Sequence, residues 1–295
     1  RIRYVAEIAG DHCERLITIG GAPGYRGVLQ PEKLFPKGLQ VPLPEDAPLV
    51  PDIDEFRFGY LVRISEEAVM EGHTAGRYSG THFRYPVVYG PRQVSHEVWG
   101  LMQRFTDKRP YIVLPEGGLT LTTHGYSENV AHAVLLAAQQ PEAAAGQIYN
   151  CADERQFTLA QWVELIGEAM GGTIEIVSVP DRYAYPARSL MMFYGPADHQ
   201  MFDLHKVKAE LGYRDPIDPA EALRRTVRWY RDNPPDVPAQ FATDLAENYR
   251  MEDDIVPIYR DACARWDAIN HVARDYHHSY PHPKKPGLAK DHRAR

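Results

Sequence analysis

Three glycines in a short loop, IGGAPGYRG at residues 19–27, are the first residues whose spacing is typical of a binding site. Gly21, Gly24 and Gly27 have the spacing G-x-x-G-x-x-G, and an apolar run at 15–19 that predicts a buried strand precedes them. A glycine-rich loop after a strand can bring backbone N–H groups close to the phosphates of a dinucleotide. The loop is therefore a candidate phosphate-binding site.

The residues after this loop argue against that interpretation. A dinucleotide fingerprint opens a helix whose N-terminus faces the pyrophosphate. Gly27 is instead followed by VLQPEKLFP, in which two prolines exclude a long helix. Because glycine spacing alone is a weak signal, a turn with another role is the better interpretation of IGGAPGYRG.

Charge and composition exclude several classes of partner. The 295 residues carry 33 basic and 40 acidic side chains, a formal net charge of -7, so we expect neither nucleic acid nor a membrane as partner. Cys13, Cys151 and Cys263 form no C-x-x-C pair and indicate a reducing compartment. No apolar run approaches the ~20 residues that span a bilayer. We expect a cytoplasmic protein.

Two groups of residues are candidate metal ligands. His124 and Glu128 have i, i+4 spacing, which brings them together only if a helix begins early. His277, His278 and His282 lie in a basic, Pro-rich tail, for which a solvated segment is the better interpretation. We predict no metal site.

Helices and strands alternate along most of the chain and must position these residues. The predicted helices are 1–12, 60–76, 129–139, 158–170, 203–211, 219–232 and 239–276. The predicted strands are 15–19, 81–88, 147–150 and 173–179. Six prolines within 28–57 predict a long irregular segment at the surface. The alternation predicts an α/β fold with a parallel sheet covered by helices on both faces.

Four segments together resemble the extended short-chain dehydrogenase/reductase family, the NAD-dependent epimerases and dehydratases that act mostly on nucleotide sugars. Residues 1–27 resemble its helix, strand and Ser-Ser/Thr-x-x-Val-Tyr-Gly loop. Residues 58–93, ending in HFRYPVVYGPRQ, resemble its catalytic helix and R-x-x-N-V-Y-G-P segment. Residues 116–150, with GLTLTTHGYSENVAHAVLLAA, and 156–232 resemble its substrate-side elements and closing helices.

The resemblance implies a Rossmann-type doubly wound parallel sheet with a smaller substrate lobe and a helical C-terminal extension. Residues 1–91 would form the C-terminal part of an NAD(P)-binding domain, 92–235 the substrate lobe with returning sheet elements, and 236–295 a helical extension with a basic, Pro-rich tail. The family's glycine fingerprint would then lie upstream of Arg1. NAD or NADP as cofactor and a homodimer are further implications.

The resemblance also implies that the usual catalytic residues are replaced. With Tyr25 on the tyrosine of Val-Tyr-Gly, Gly21 occupies the position of the catalytic Ser/Thr. Counting back from Arg84 places Phe58 and Val62 on the Tyr-x-x-x-Lys pair. That pair lowers the pKa of a phenol, which can then exchange a proton while hydride moves. Neither Phe nor Val can do this.

Other residues of these segments are candidates for catalysis and cofactor binding. A shift of two residues places Tyr60 on the tyrosine position, and we name Tyr60 and Tyr25 as catalytic candidates. A tyrosine that packs its ring on the core and keeps its hydroxyl wet is the structural alternative for Tyr60. Gly21, Pro86 and Val88 are the candidates for the cofactor wall.

The substrate-side candidates are Tyr89, Arg92, His124 and Tyr126. Arg92 follows the Tyr-Gly-Pro turn and would contact an anion, although a purely structural turn is an equal alternative. Thr122 stands where the family has an arginine for the diphosphate of a nucleotide sugar. His124 and Tyr126 could therefore form a different polar site.

Two functions follow from these observations. The first is an atypical NAD(P)-dependent epimerase/dehydratase-like protein that acts on a sugar-like or other small polar substrate. The alternative is a catalytically silent scaffold or regulatory subunit of the same fold, because Gly21, Phe58 and Val62 replace the usual trio.

Overall fold

Strands and helices alternate in the computed structural model, which describes residues 2–191, 195–269, 285–287 and 289–290. The helices are α1 (Ile2–His12), α2 (Arg57–Thr74), α3 (Glu97–Thr106), α4 (Ser127–Gln139), α5 (Pro141–Ala144), α6 (Leu159–Met170), α7 (His205–Leu211), α8 (Pro219–Asp232) and α9 (Ala239–Asp267). The strands are β1 (Arg15–Gly21), β2 (Ser79–Tyr85), β3 (Val87–Tyr89), β4 (Tyr111–Pro115), β5 (His124–Tyr126), β6 (Gln147–Asn150) and β7 (Glu175–Val179). The predicted α/β class is confirmed.

The strands of the described region pair in parallel. β2 lies at the centre of a three-stranded sheet of order β1-β2-β6, and two further pairs are β3-β5 and β4-β7. The last residues of β1 and β2, Gly21 and Tyr85, are register partners. The loops that follow these two strands therefore begin side by side at the carboxyl edge of the sheet.

The main core lies between the central sheet and two helices. Phe83 of β2 and Tyr149 of β6 are fully buried, and their ring centroids are 5.5 Å apart. Ala133 of α4 and Val207 of α7 pack in the same cluster. An alanine on α4 lets the helix approach the two aromatic rings closely, which fixes this helix against the sheet.

Helix α2 packs on the turn Ala22–Gly24, which follows β1. Gly59 makes this approach possible, because a Cβ there would collide with the Pro23 carbonyl oxygen and lie 2.7 Å from Val50 Cγ2. Val62 lies against the same turn, since a Cβ on Gly24 would be 3.3 Å from Val62 Cγ1. The loop after β1 is thereby held between the sheet and α2.

Several predicted elements need correction. The strand predicted at 81–88 is two strands, because Pro86 has no N–H to continue the ladder and β3 pairs with β5 instead. Helix α2 begins at Arg57, three residues before the prediction. The prediction missed α3, β4 and β5. Most of the tail at 277–295, with His277, His278 and His282, lies outside the described residues.

The Cα positions divide the chain into two units, Arg1–Val256 and Pro257–Arg295. The second unit begins with Pro257, which lies inside α9. The first unit contains every feature discussed below. The boundaries predicted at 91 and 235 stay predictions.

Candidate functional site

A cavity of about 760 Å³ opens at the carboxyl ends of β1 and β2. Its lining comes from residues 20–23, 85–89, 91–97, 100, 104, 127, 189–191, 241, 244, 245 and 248. Open α/β sheets bind their ligands in the crevice beyond the carboxyl ends of parallel strands. The position of this cavity makes it the candidate functional site.

Three predicted cofactor contacts meet at this cavity. Gly21 ends β1, while Pro86 and Val88 belong to the segment that leaves β2, and each lines the cavity. Two predicted substrate contacts, Tyr89 and Arg92, line it as well. Tyr89 is almost fully buried, whereas Arg92 is exposed and has a positive φ of 65°. The structure thus brings five of the predicted residues together, and their roles stay predictions.

The first half of α9 forms one wall of the cavity, which the sequence did not reveal. Phe241, Asp244, Leu245 and Asn248 are its lining residues. The contacts that fix this helix lie one turn further along.

The anchor of α9 is a buried ion pair. Arg104 Nη1 of α3 donates to both carboxylate oxygens of the fully buried Glu252, at 2.7 and 2.8 Å. Glu252 also accepts a hydrogen bond from the Val113 backbone N–H of β4, at 3.2 Å. Burial raises the pKa of Glu252, although Arg104 acts in the opposite direction. These contacts hold α9 on α3 and β4.

The start of α3 contributes a polar group of side chains to the cavity. Gln93, His96 and Glu97 all line it. Gln93 Nε2 donates to Glu97 Oε2 at 3.3 Å. Burial raises the pKa of Glu97 to about 7, although hydrogen bonds from Gln93 and Ser95 lower it. Glu97 is therefore a cavity carboxyl that can change its protonation state near neutral pH.

Tyr25, a predicted catalytic residue, lies in the core and does not line the cavity. Only 1% of it is exposed, and its hydroxyl donates to Asn150 Oδ1 at 2.7 Å. The Arg84 guanidinium carbon lies 4.6 Å from the centroid of its ring. Burial raises the pKa of Tyr25 to about 12. This environment argues against proton transfer by Tyr25 near neutral pH.

The residues on the Tyr-x-x-x-Lys positions carry no group that transfers protons. Phe58 is half-exposed with its ring centroid 6.3 Å from that of Phe56, and Val62 packs on the turn after β1. Tyr60 is partly buried, with the Arg63 guanidinium carbon 5.7 Å from its ring centroid, and it does not line the cavity. The structure does not bring Tyr60 to the other predicted residues, and its catalytic role stays a prediction.

His124 and Tyr126 do not line this cavity, although His124 lines a smaller neighbouring cavity together with Glu97. The His124 ring centroid is 4.3 Å from that of Trp162, and Nδ1 is 2.7 Å from the Thr122 carbonyl oxygen. Burial lowers the pKa of His124 to about 4, so the ring is neutral at pH 7. The Tyr126 hydroxyl donates to Glu128 Oε1 at 3.0 Å. Their predicted substrate contacts stay predictions.

Asp153, which the sequence did not reveal, joins several elements through hydrogen bonds. Its carboxylate accepts hydrogen bonds from the Tyr89 hydroxyl, the Tyr126 N–H and Asn129 Nδ2, at 2.8, 2.9 and 2.8 Å. Burial raises its pKa to about 7. Asp153 therefore ties β3, β5 and α4 together.

Within the described part of the chain, no group of three or more His, Cys, Asp or Glu residues is arranged to hold a metal ion. In the same part, no helix is long and apolar enough to cross a membrane.

Parts of the chain are similar to a known protein family and to curated relatives. Residues 33–152 match the NAD dependent epimerase/dehydratase family. The segment contains α2, the catalytic helix of the sequence resemblance, and the strands β2 to β6. Protein y4nL of Sinorhizobium fredii is 28% identical over 166 residues, which cover 50% of this chain and 46% of that protein. The chain spans only 42–46% of the length of its curated relatives.

Solved structures of epimerases share the fold. The UDP-glucose 4-epimerase of Thermotoga maritima, solved with UDP-glucose, has a TM-score of 0.60 at 22% identity, over 78% of this chain and 68% of that chain. The UDP-glucuronic acid 4-epimerase of Bacillus cereus, solved with UDP-glucuronic acid and NAD, has a TM-score of 0.59 at 14% identity, over 78% and 66%. The predicted resemblance and the Rossmann-like fold are confirmed.

Proposed function

We propose that this is an atypical NAD(P)-dependent epimerase/dehydratase-like protein that acts on a sugar-like or other small polar substrate. The observation that carries the proposal is the cavity of about 760 Å³ at the carboxyl ends of β1 and β2. The family match and the NAD bound by the Bacillus cereus epimerase support the choice of cofactor.

The cavity wall suits the nicotinamide end of such a cofactor. Pro86, Val87 and Val88 give it an apolar side, and Gly20 and Gly21 give it a side without side chains. A flat aromatic ring can pack against such surfaces. When bound, NAD(P) accepts and returns hydride. The residues of this chain would hold the ring and exclude water from it.

Proton transfer needs a group other than those at the usual positions. Gly21, Phe58 and Val62 have no side-chain group that exchanges a proton. Glu97 faces the cavity, and burial raises its pKa to about 7. A carboxyl with a pKa near the working pH can both hold and release a proton. We assign proton exchange to Glu97.

A homodimer and a cytoplasmic location belong to the same proposal. Helix α1 exposes 67% of Tyr4 and 47% of Val5, an apolar surface suited to packing across a two-fold axis. Analytical ultracentrifugation tests the dimer. A monomer at all concentrations would contradict it.

A second candidate is a catalytically silent scaffold. The observation that favours it is the replacement of the proton-transferring pair by Phe58 and Val62. In that case the cavity binds no dinucleotide, and the protein acts through its surfaces.

Calorimetric titration of the intact protein with NAD⁺, NADH, NADP⁺ and NADPH separates the two candidates. We expect saturable binding of at least one dinucleotide. Gly21→Leu adds a side chain whose Cβ would lie 3.3 Å from Pro23 Cδ, among the lining residues of the cavity, and should weaken binding at least about tenfold. Gly172→Leu adds the same atoms at an exposed position and should bind normally. No binding of any of the four would overturn the enzyme proposal and favour the scaffold.

A further inference from the structure

Four large apolar side chains line the cavity in addition to those of the Pro86–Val88 wall. Phe241 and Leu245 are neighbours one helical turn apart on α9, and both are half-buried. Leu190 and Met191 line the cavity from a separate segment, and Met191 is only 5% exposed. We call Leu190, Met191, Phe241 and Leu245 the apolar subsite.

Helix α3 leaves space beside the apolar subsite. Gly100 of α3 lines the cavity without a side chain, and a Cβ there would lie 3.7 Å from Phe241 Cζ. The Phe241 ring packs edge-on against His96, at the start of the same helix, with centroids 5.8 Å apart. A side chain larger than alanine at position 100 would therefore occupy the space that borders the Phe241 ring.

Apolar side chains also lie close to Glu97, the group to which we assign proton exchange. Leu190 and Met191 line the smaller neighbouring cavity together with Glu97. Gly100, which borders Phe241, follows Glu97 by one turn of α3. Burial raises the pKa of Glu97, as these surroundings would lead one to expect. A substrate whose reacting group reaches Glu97 must therefore place other atoms against apolar side chains.

The charged groups of the lining disfavour an anionic ligand. Glu97 and Asp244 contribute two carboxyl groups. Of the arginines that line the cavity in the described part of the chain, Arg104 donates to both oxygens of Glu252, and Arg92 is exposed. A diphosphate would therefore find one exposed guanidinium and two groups of its own sign. Small-molecule sites with an apolar lining and few polar groups suit ligands without such charge.

We propose that the apolar subsite binds an aryl or alkyl arm of the substrate, whose hydroxyl or carbonyl group then lies beside Glu97. The inference rests on the proposed function and narrows its substrate to a small molecule that is polar at the reacting end and apolar beyond it. A nucleotide sugar carries a charged diphosphate in place of such an arm. Removal of the arm from water stabilises the complex in proportion to the apolar area buried, so the subsite would select substrates by that arm.

Methyl NMR on the full chain, labelled at leucine, tests the proposal with three ketones that share an acetyl group. Benzylacetone carries an aryl arm, methyl butyl ketone carries an alkyl arm, and acetone has neither; UDP-glucose is the charged probe. We expect saturable shifts of the Leu190 and Leu245 methyl signals with at least one armed ketone, at a Kd at least about tenfold below that of acetone. Leu135, an exposed residue of α4 outside the cavity, should stay unmoved. UDP-glucose should not shift the two cavity leucines.

Two variants and two controls locate the binding. Gly100→Leu fills the space beside Phe241 and suits a helix better than glycine does. Phe241→Ala removes one wall of the apolar subsite. Each should weaken binding of the armed ketone at least about tenfold. The matched controls Gly172→Leu and Phe35→Ala lie at exposed positions outside the cavity and should bind as the unaltered protein does. Folding of every variant is checked by its thermal unfolding midpoint.

The outcomes separate this inference from the function on which it rests. Absence of saturable binding by both armed ketones overturns the inference, as does binding that Gly100→Leu and Phe241→Ala leave unchanged. Equal Kd values for acetone and the armed ketones, or UDP-glucose binding that shifts the cavity leucines, also overturn it. Armed-ketone binding without dinucleotide binding supports the inference and defeats the cofactor proposal. Dinucleotide binding without armed-ketone binding does the reverse.

Discussion

Glu66 of α2 and Arg84 of β2 form a buried bidentate ion pair beside the candidate site. Arg84 Nε and Nη2 each donate to a Glu66 carboxylate oxygen at 2.7 Å, and both side chains are at least 94% buried. Arg84 Nη1 also donates to the Glu45 carbonyl oxygen at 2.7 Å. The pair therefore ties the helix at the usual catalytic positions to the central strand and to the long irregular segment.

Removing Glu66 should destabilise the fold, because the Arg84 guanidinium would remain buried without its carboxylate partner. Glu66→Ala leaves the Arg84 guanidinium buried without its carboxylate, and we expect the free energy of unfolding to fall by about 3–5 kcal/mol. The neighbouring Glu67→Ala is the control, because Glu67 pairs with Arg63 at the surface of the same helix. That pair should contribute less than about 1 kcal/mol. Urea denaturation measures both, and equal losses would contradict the assignment.

The wall that α9 gives to the cavity should depend on Glu252. Glu252→Ala leaves Arg104 buried without its partner, so we expect local opening of the helix. Hydrogen exchange of peptides covering 241–248 should become faster. Asp254→Ala removes an exposed pair with Arg250 and serves as the control. Unchanged protection of α9 in Glu252→Ala would show that other contacts hold the wall.

Ionisation of Asp153 should lower the free energy of unfolding as the pH rises. Its pKa is raised by burial from 3.8 to about 7, so its carboxyl takes up protons more readily in the folded than in the unfolded protein. This contribution to stability is complete below about pH 4 and is lost as the pH rises towards 7. We expect Asp153→Asn to reduce the fall in unfolding free energy between pH 5 and pH 8 by on the order of 1–3 kcal/mol.

Denaturation curves at the two pH values check this expectation. Asp232→Asn, at an exposed position of α8, provides a matched control and should follow the unaltered protein. If Asp153→Asn shows the full pH dependence of the unaltered protein, the buried carboxyl is not its source.

Local sequence patterns predicted the α/β class and the positions of most helices and strands. The family resemblance named Gly21, Pro86 and Val88 as cofactor contacts, and the structure places them together at the carboxyl edge of the central sheet. The strand split at Pro86 could have been anticipated, since proline breaks a ladder. The burial of Tyr25 could not, because its hydroxyl meets Asn150, a residue 125 positions away.

Local sequence patterns did not predict the polar residues at the start of α3 or the wall that α9 contributes to the cavity. Gln93 ends the recognised Tyr-Gly-Pro-Arg-Gln match and Glu97 follows it, but no local pattern predicts that Gln93 Oε1 is buried without a partner among the described residues. The wall depends on Arg104 and Glu252, which are separated by 148 residues. Contacts of that range follow from packing of the whole chain and have no periodic signature.

The most direct test of the central claim is methyl NMR on valine-labelled protein during titration with NADH. Val87 and Val88 line the cavity, whereas Val177 is buried in β7 and does not. We predict saturable shifts of the Val87 and Val88 methyl signals, assigned through Val→Ile variants, with Val177 unmoved. Cavity methyls that stay unmoved, or shifts confined to other valines, would contradict the claim that this cavity receives the nicotinamide.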